Sequence, residues 1–220
     1  MSMEAERVHR SILSAVEKKT LIWLALRLPA SVNSDHLTAL GFLSLAGVGL
    51  SYWYSRYSKI GLALAILFFM LNWFGDSLDG TLARVRNRQR PRYGFYLDHV
   101  LDAFGSVFVF AGLALSGYMS ERIAVGLLVA YLLLSIEVYL TTHTIGQFHL
   151  SFAAFSPTEL RLVLIAGNVT LLFKPLVLLA GREYLLFDVG GLIGIVGLGT
   201  AAVWSAVKHG MFLYRAERLS

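Results

Sequence analysis

The sequence predicts an all-α polytopic membrane protein, with six transmembrane helices preceded by an N-terminal amphipathic helix on the membrane surface. Three observations carry this. The 220 residues are 56% hydrophobic and 15% charged, with a mean hydropathy of +0.64, too apolar for an ordinary soluble domain. The apolar residues gather into windows long enough to cross a hydrocarbon core, which takes about 20 residues of helix. Lysine and arginine crowd the segments on one side of those windows and are sparse on the other. The length suits one compact bundle, so residues 1–30 are assigned to an interfacial helix and 31–220 to a single membrane domain.

Along the chain, Met1 to Pro29 mixes Glu4, Glu6 and Glu17 with its bases and lacks an apolar core ending in a small-residue cleavage site. It is therefore expected not to be a cleaved signal peptide. Ile12, Val16, Leu21, Trp23, Leu24 and Leu26 give it an apolar side, with Arg7, Arg10, Lys18, Lys19 and Arg27 toward lipid headgroups. Ser34-Asp35-His36-Leu37-Thr38 reads as the cap of the first span. Spans are expected near residues 36–55, 60–84, 94–118, 121–143, 159–181 and 187–212. Lys174-Pro175 interrupts the fifth, which allows a short helix that ends there, with Lys174 snorkelling outward.

An even number of spans puts both termini on one side. That side also receives Arg84, Arg86, Arg88, Arg90 and Arg92 after the second span, and Lys208, Arg215 and Arg218 at the end. The opposite loops carry only Arg56 and Lys59, Arg122, and Arg182. The positive-inside rule then makes the termini and the loop after the second span cytoplasmic.

Other features exclude rival classes. Cysteine is absent, so neither disulfides nor thiol chemistry is available. The net charge of +5 lies beside apolar spans, which fits anionic headgroups and not nucleic acid. The arginine run from 84 to 92 is what topology alone demands of a short cytoplasmic loop. Gly190, Gly191, Gly194, Gly197 and Gly199 follow no strand, so close helix packing explains them better than a dinucleotide. Asn168-Val169-Thr170 matches a glycosylation sequon but falls inside an expected span, as chance would place it.

The chemistry concentrates between Asp76 and Asp102. On a helix, Asp76, Asp79 and Ala83 fall at i, i+3 and i+7 and share a face, while Asp98 and Asp102 share a face of the next helix at i, i+4. Four carboxylates can thus converge where two spans meet water. One ionised aspartate at membrane depth costs about 2.5–3.5 kcal/mol, and mutual repulsion adds to that. A hard divalent cation bound through oxygen is the obvious compensation. Gly80 and Ala83 leave room for a ligand, and Arg84 offers a planar fork suited to phosphate. Carboxylates, a divalent metal and an arginine make a kit for phosphoryl transfer, with a spare carboxylate to deprotonate an incoming hydroxyl.

The pattern Asp76-x2-Asp79-Gly80-x2-Ala83-Arg84-x9-Gly94-x3-Asp98-x3-Asp102 resembles the signature of the CDP-alcohol phosphatidyltransferase family. The resemblance implies six membrane helices around a polar cavity open to the cytoplasm, in a homodimer. It implies that a CDP-activated lipid, most often CDP-diacylglycerol, passes its phosphatidyl group to a small hydroxyl acceptor and that CMP leaves, with one or two Mg2+ or Mn2+ ions. Asp76, Asp79, Asp98 and Asp102 would hold the metal, and Asp102 would be the general base. Asp79, Gly80, Ala83, Arg84 and Gly94 would meet the cytidine diphosphate, with Arg84 near its phosphates.

His143, Gln147, His149, Ser156, Thr158, Glu159 and Arg161 lie on the side of the aspartates. Ser156-Pro157-Thr158-Glu159 reads as a capped helix start. Relatives that take a phosphorylated polyol carry basic residues in the corresponding region, so Glu159 and Arg161 are candidates to bind the acceptor, tilted toward inositol phosphate or glycerol phosphate. Three alternatives remain. One is the reverse reaction class, in which a CDP-linked small alcohol such as CDP-choline or CDP-ethanolamine donates to diacylglycerol. Another is a membrane prenyltransferase, which needs two similar Asp-rich motifs. The third is a cation transporter, which would place its acids at the bilayer midplane.

Overall fold

The computed structural model describes residues 14–145 and 157–217. Its elements are α1 (Ser14–Arg27), α2 (Ser34–Ser55), α3 (Ile60–Val85), α4 (Pro91–Ser116), α5 (Glu121–Ile145), α6 (Pro157–Phe173), β1 (Leu176–Leu179), β2 (Arg182–Leu185) and α7 (Leu186–Ala216). Five of them, α2, α3, α4, α5 and α7, are long and apolar enough to cross a membrane. The chain is an all-α polytopic membrane protein, apart from one small hairpin among the described residues. Large apolar side chains such as Phe104, Leu133 and Trp204 stand exposed on these helices, as lipid-facing surfaces do.

Local chemistry sets the helix ends. The cap of α2 is Asn33, one residue before the expected segment; its side chain accepts from the His36 backbone N–H at 2.9 Å, and His36 Nδ1 accepts from the Asn33 N–H at 3.3 Å. This reciprocal pair satisfies two donors that a helix start leaves over. Pro91 opens α4 at its first position, where its missing N–H costs nothing.

The expected fifth span at 159–181 needs correction, because α6 stops at Phe173. Pro175 cannot donate a backbone hydrogen bond and disfavours helix at Lys174 before it. The apolar residues beyond it pair instead as an antiparallel hairpin, Leu176 opposite Leu185 and Leu179 opposite Arg182. Ala180 and Gly181 both take positive φ in its turn, the conformation that matches the twist of paired strands.

Packing is closest where side chains are smallest. Gly41 of α2 faces Gly75 of α3, and a Cβ built on Gly75 would come within 2.6 Å of the Gly41 nitrogen and of the Leu37 carbonyl oxygen. Two backbones in near contact are a standard way to join helices that cannot gain from excluding water. Toward the opposite end, Val48, Tyr52, Leu62, Phe69, Leu113 and Phe187 form a buried core from four helices. Asn168, the sequon residue, lies fully buried there and donates to the Tyr52 hydroxyl at 2.7 Å.

The helix α1 is docked, not loose. Leu21 and Ala25 pack against Leu37, Leu78 and Leu82, while Ile22, Trp23 and Leu26 stay exposed. At its end Arg86 donates to the carbonyls of Leu28 and Pro29, each at 2.9 Å, and to that of Val32. These bonds supply carbonyl oxygens near a helix end that have no intrahelical donor. Arg86 therefore has a structural task beyond the topological one expected of the arginine run.

Candidate active site

The ends of α2, α3 and α4 meet at a narrow cleft, where α3 contributes Asp76 and Asp79 and α4 contributes Asp98 and Asp102. Helical spacing predicts the pairing within each helix, and the close contact of Gly41 with Gly75 lies directly beside Asp76. Asp76, Asp98 and Asp102 each bring a carboxylate oxygen to within 4.8 Å of the others. Asp79 lines the same cleft but turns toward α2: its Oδ2 accepts from the Thr38 hydroxyl at 2.6 Å and its Oδ1 from the Gly80 N–H. The Ser34 hydroxyl adds a bond to the Asp79 carbonyl at 3.0 Å.

A cation fits what the three carboxylates leave. All donors are oxygen, and hard divalent ions hold oxygen at about 2.0–2.6 Å, so oxygens on one ion lie no more than about 4–5 Å apart. Asn72, one turn before Asp76, also lines the cleft. Its Nδ2 donates to the Gly41 carbonyl at 3.0 Å, and its buried Oδ1 has no partner among the described residues. Such an oxygen fits an ion or its water shell.

A protein cation reaches the cluster. Arg161 of α6 donates from Nη2 to Asp76 Oδ2, with the two side chains 13% and 23% exposed. Arg161 is therefore part of the site, across 85 residues of sequence.

The remaining expected residues are placed as follows. Arg84 donates to the Thr81 hydroxyl at 3.0 Å, and its Nη1 is the nearest atom, at 3.6 Å, to a Cβ built on Gly80. Ala83 is half-buried on the same stretch of α3, and Gly94 is exposed with nothing within 4 Å of a Cβ built on it. Glu159 stands in the first turn of α6, its side chain outside what is described, and Gln147, His149 and Ser156 lie outside the described residues. His143 is exposed in the last turn of α5.

Sequence reasoning treated Ser34 and Thr38 as cap residues and passed over Asn72. Each had a signal: Ser34 and Thr38 are one turn apart on one face, and Asn72 is a lone amide in an apolar run one turn from Asp76. A second polar cluster, outside this site, joins α5 to α7. Glu137 Oε1 accepts from the Thr141 hydroxyl at 2.8 Å and from His209 Nδ1 at 2.6 Å.

Fold and site together define a membrane-embedded protein with three carboxylates clustered at one end of its bundle, where a hard cation would fit. The family follows from comparison: the model of the CDP-alcohol phosphatidyltransferase family matches residues 33–207, and the chain belongs to that family. A protein of Aquifex aeolicus (strain VF5), described only as uncharacterized, is 32% identical over 143 residues, 63% of this chain and 69% of its own length. The family is a group of phosphotransferases that move a phosphatidyl or phospho-alcohol group from a CDP-alcohol to a hydroxyl acceptor in phospholipid biosynthesis, generally with a divalent metal.

Proposed function

We propose that the protein transfers the phosphatidyl group of CDP-diacylglycerol to a hydroxyl of a small phosphorylated polyol, such as inositol phosphate or glycerol phosphate, and releases CMP. The observation that carries this is Arg161, bonded to Asp76 beside the Asp98 and Asp102 carboxylates. A guanidinium there gives a second phosphate, one on the acceptor, something to bind next to the reacting centre. Glu159 is assigned to the same acceptor side.

Asp76, Asp79, Asp98 and Asp102 would hold one or two Mg2+ or Mn2+ ions, and the bound metal would supply charge neutralisation for the diphosphate. Gly80, Ala83 and Gly94 pack against the cytidine diphosphate, and Arg84 lies near its phosphates. Asp102 takes the proton from the acceptor hydroxyl. The freed oxygen forms the new bond to the phosphorus that carries the lipid, the bond from that phosphorus to the bridging oxygen breaks, and CMP leaves with the electron pair. Thr38 restrains Asp79 on the α2 side of the cleft.

In this arrangement α6 and its hairpin complete six crossings, and the site and both termini face the cytoplasm, as the distribution of lysine and arginine supports. The protein works as a homodimer. The test is CMP release by purified protein with Mg2+ and CDP-diacylglycerol, against inositol phosphate, glycerol phosphate, serine and an amino alcohol. Acceptor-dependent CMP with a phosphorylated polyol is expected. Release only when CDP-choline or CDP-ethanolamine is given with diacylglycerol would overturn the donor assignment.

A further inference from the structure

One carboxylate near the site belongs neither to the aspartate motif nor to the membrane helices. Glu17, in the first turn of α1, accepts through Oε1 from Trp73 Nε1 at 2.9 Å and from the Thr158 hydroxyl at 2.8 Å. Trp73 precedes Asp76 by three residues on α3, and Thr158 precedes Arg161 by three residues on α6. Residues at that spacing are neighbours on a helix surface. The two helices are thus joined twice, about one turn apart: through Glu17, and through the Arg161–Asp76 pair.

We propose that Glu17 is a positioning residue for the acceptor side of the site, tying the first turn of α6 to α3 through Thr158 and Trp73 and so fixing where Arg161 meets Asp76. This rests on the acceptor role proposed for Arg161. The chemistry suits the task. An indole N–H can only donate, so a carboxylate oxygen is well suited to gather it and the threonine hydroxyl. The carboxylate also sits at the N-terminal turn of α6, where unsatisfied N–H groups and the helix dipole favour negative charge.

The support that carries Glu17 is itself fixed. Glu17, Leu21 and Ala25 follow one another at i, i+4 and i+8 on one face of α1. Leu21 and Ala25 are buried against α2 and α3, and Arg86 holds the chain just beyond the helix. The short α6 needs such an anchor at its start, since it ends at Phe173 and turns directly into the hairpin.

Two features make the idea testable. A glutamine at position 17 keeps an oxygen able to accept both bonds but loses the charge, and the absence of cysteine allows clean spin labelling. In full-length protein in lipid nanodiscs, nitroxides at Lys19→Cys and Leu162→Cys, both exposed positions, report the separation of α1 from α6. One narrow distance distribution is expected for the parent and for Glu17→Gln, and a broad one for Glu17→Ala and for Thr158→Val, which removes only the hydroxyl.

CMP release without labels, using whichever of inositol phosphate and glycerol phosphate supports it, gives the second readout. Glu17→Ala should raise the acceptor KM about tenfold, equivalent to about 1.4 kcal/mol of lost acceptor binding, while the CDP-diacylglycerol KM stays within about twofold. Glu17→Gln should restore the acceptor KM. An unchanged distance distribution in Glu17→Ala overturns the tie. So does equal damage by Gln and Ala, which would mark charge alone, or a fall in kcat with the acceptor KM untouched, which would mark general loosening. Arg161→Ala separates the levels: if it spares the acceptor KM, the acceptor role fails and the positioning claim with it, and the distance data then show whether the helices are still tied.

Discussion

Gly75→Ala tests whether the acid site depends on backbone contact between α2 and α3. The added Cβ would lie 2.6 Å from both the Gly41 nitrogen and the Leu37 carbonyl oxygen, against about 3.4 Å for ordinary contact, so the helices must separate by about 0.8 Å. Neither obstructing atom is the far end of a flexible side chain. Overpacking of this kind costs about 1–3 kcal/mol, and the apparent melting temperature in detergent should fall by several degrees. Activity should fall further than stability. Asp76 is the next residue, and the 2.6 Å bond from Thr38 to Asp79 crosses the same gap, so a shift of that size pulls the α3 carboxylates from their set positions. A misplacement of about 1 Å at a reacting centre can cost about a hundredfold in rate.

The assay pairs thermal unfolding with CMP release, and two glycines of the motif supply the contrast. Gly80 has only the flexible Arg84 tip within 4 Å of a built Cβ, at 3.6 Å, and Gly94 has nothing. Gly80→Ala and Gly94→Ala should therefore keep the melting temperature, and any loss of activity there reports a clash with the nucleotide. If Gly75→Ala melts and turns over like the parent, α2 and α3 are not held by this contact and the depth of the site has another origin.

Four further outcomes are expected. Asp102→Asn should abolish CMP release while a CDP-lipid still binds, because the base is lost and the other carboxylates remain; measurable turnover in that variant removes Asp102 from the base role. Arg84→Lys keeps the charge but loses the fork, so the KM for CDP-diacylglycerol should rise with the acceptor KM steady, checked by steady-state kinetics. His209→Leu strips a partner from Glu137, whose Oε2 is already buried without one among the described residues. It should cost about 1–3 kcal/mol, and replacing Glu137 by leucine as well should recover part of the loss in thermal unfolding. Mg2+ at a hundred times its dissociation constant should stabilise the fold by about 2.7 kcal/mol, a gain that Asp98→Asn should reduce and chelator should reverse.

Much of this architecture is legible in the sequence because lipid leaves few choices. A run from Ile60 to Val85 must be helical if it is to satisfy its backbone, and helical spacing then puts Asp98 and Asp102 on one face. What was hidden depends on contacts between distant segments. Arg161 meets Asp76 across 85 residues and Thr158 meets Glu17 across 141, and no periodicity encodes either. The hairpin was hidden differently: Leu176-Val177-Leu178-Leu179 is a short apolar run, which periodicity cannot tell from buried helix. At the start of α2, Asn33 and Ser34 are both good caps, and the choice fell to Asn33 because His36 can return the bond only at that spacing.

The cluster can also be weighed by its charge. Asp76, Asp79, Asp98 and Asp102 line one cleft, and the means to tolerate them differ. Asp79 is settled by neutral donors, the Thr38 hydroxyl and the Gly80 N–H. Asp76 is settled by Arg161 at one oxygen. Asp98 and Asp102 stand with Asp76 inside 4.8 Å, a spacing at which a shared cation would offset the repulsion between them. A divalent ion would neutralise such charge within a single coordination sphere and still accept phosphate oxygens. Arg161 thus stands at the edge of the cluster, and the proposed reaction would place its metal among the three carboxylates.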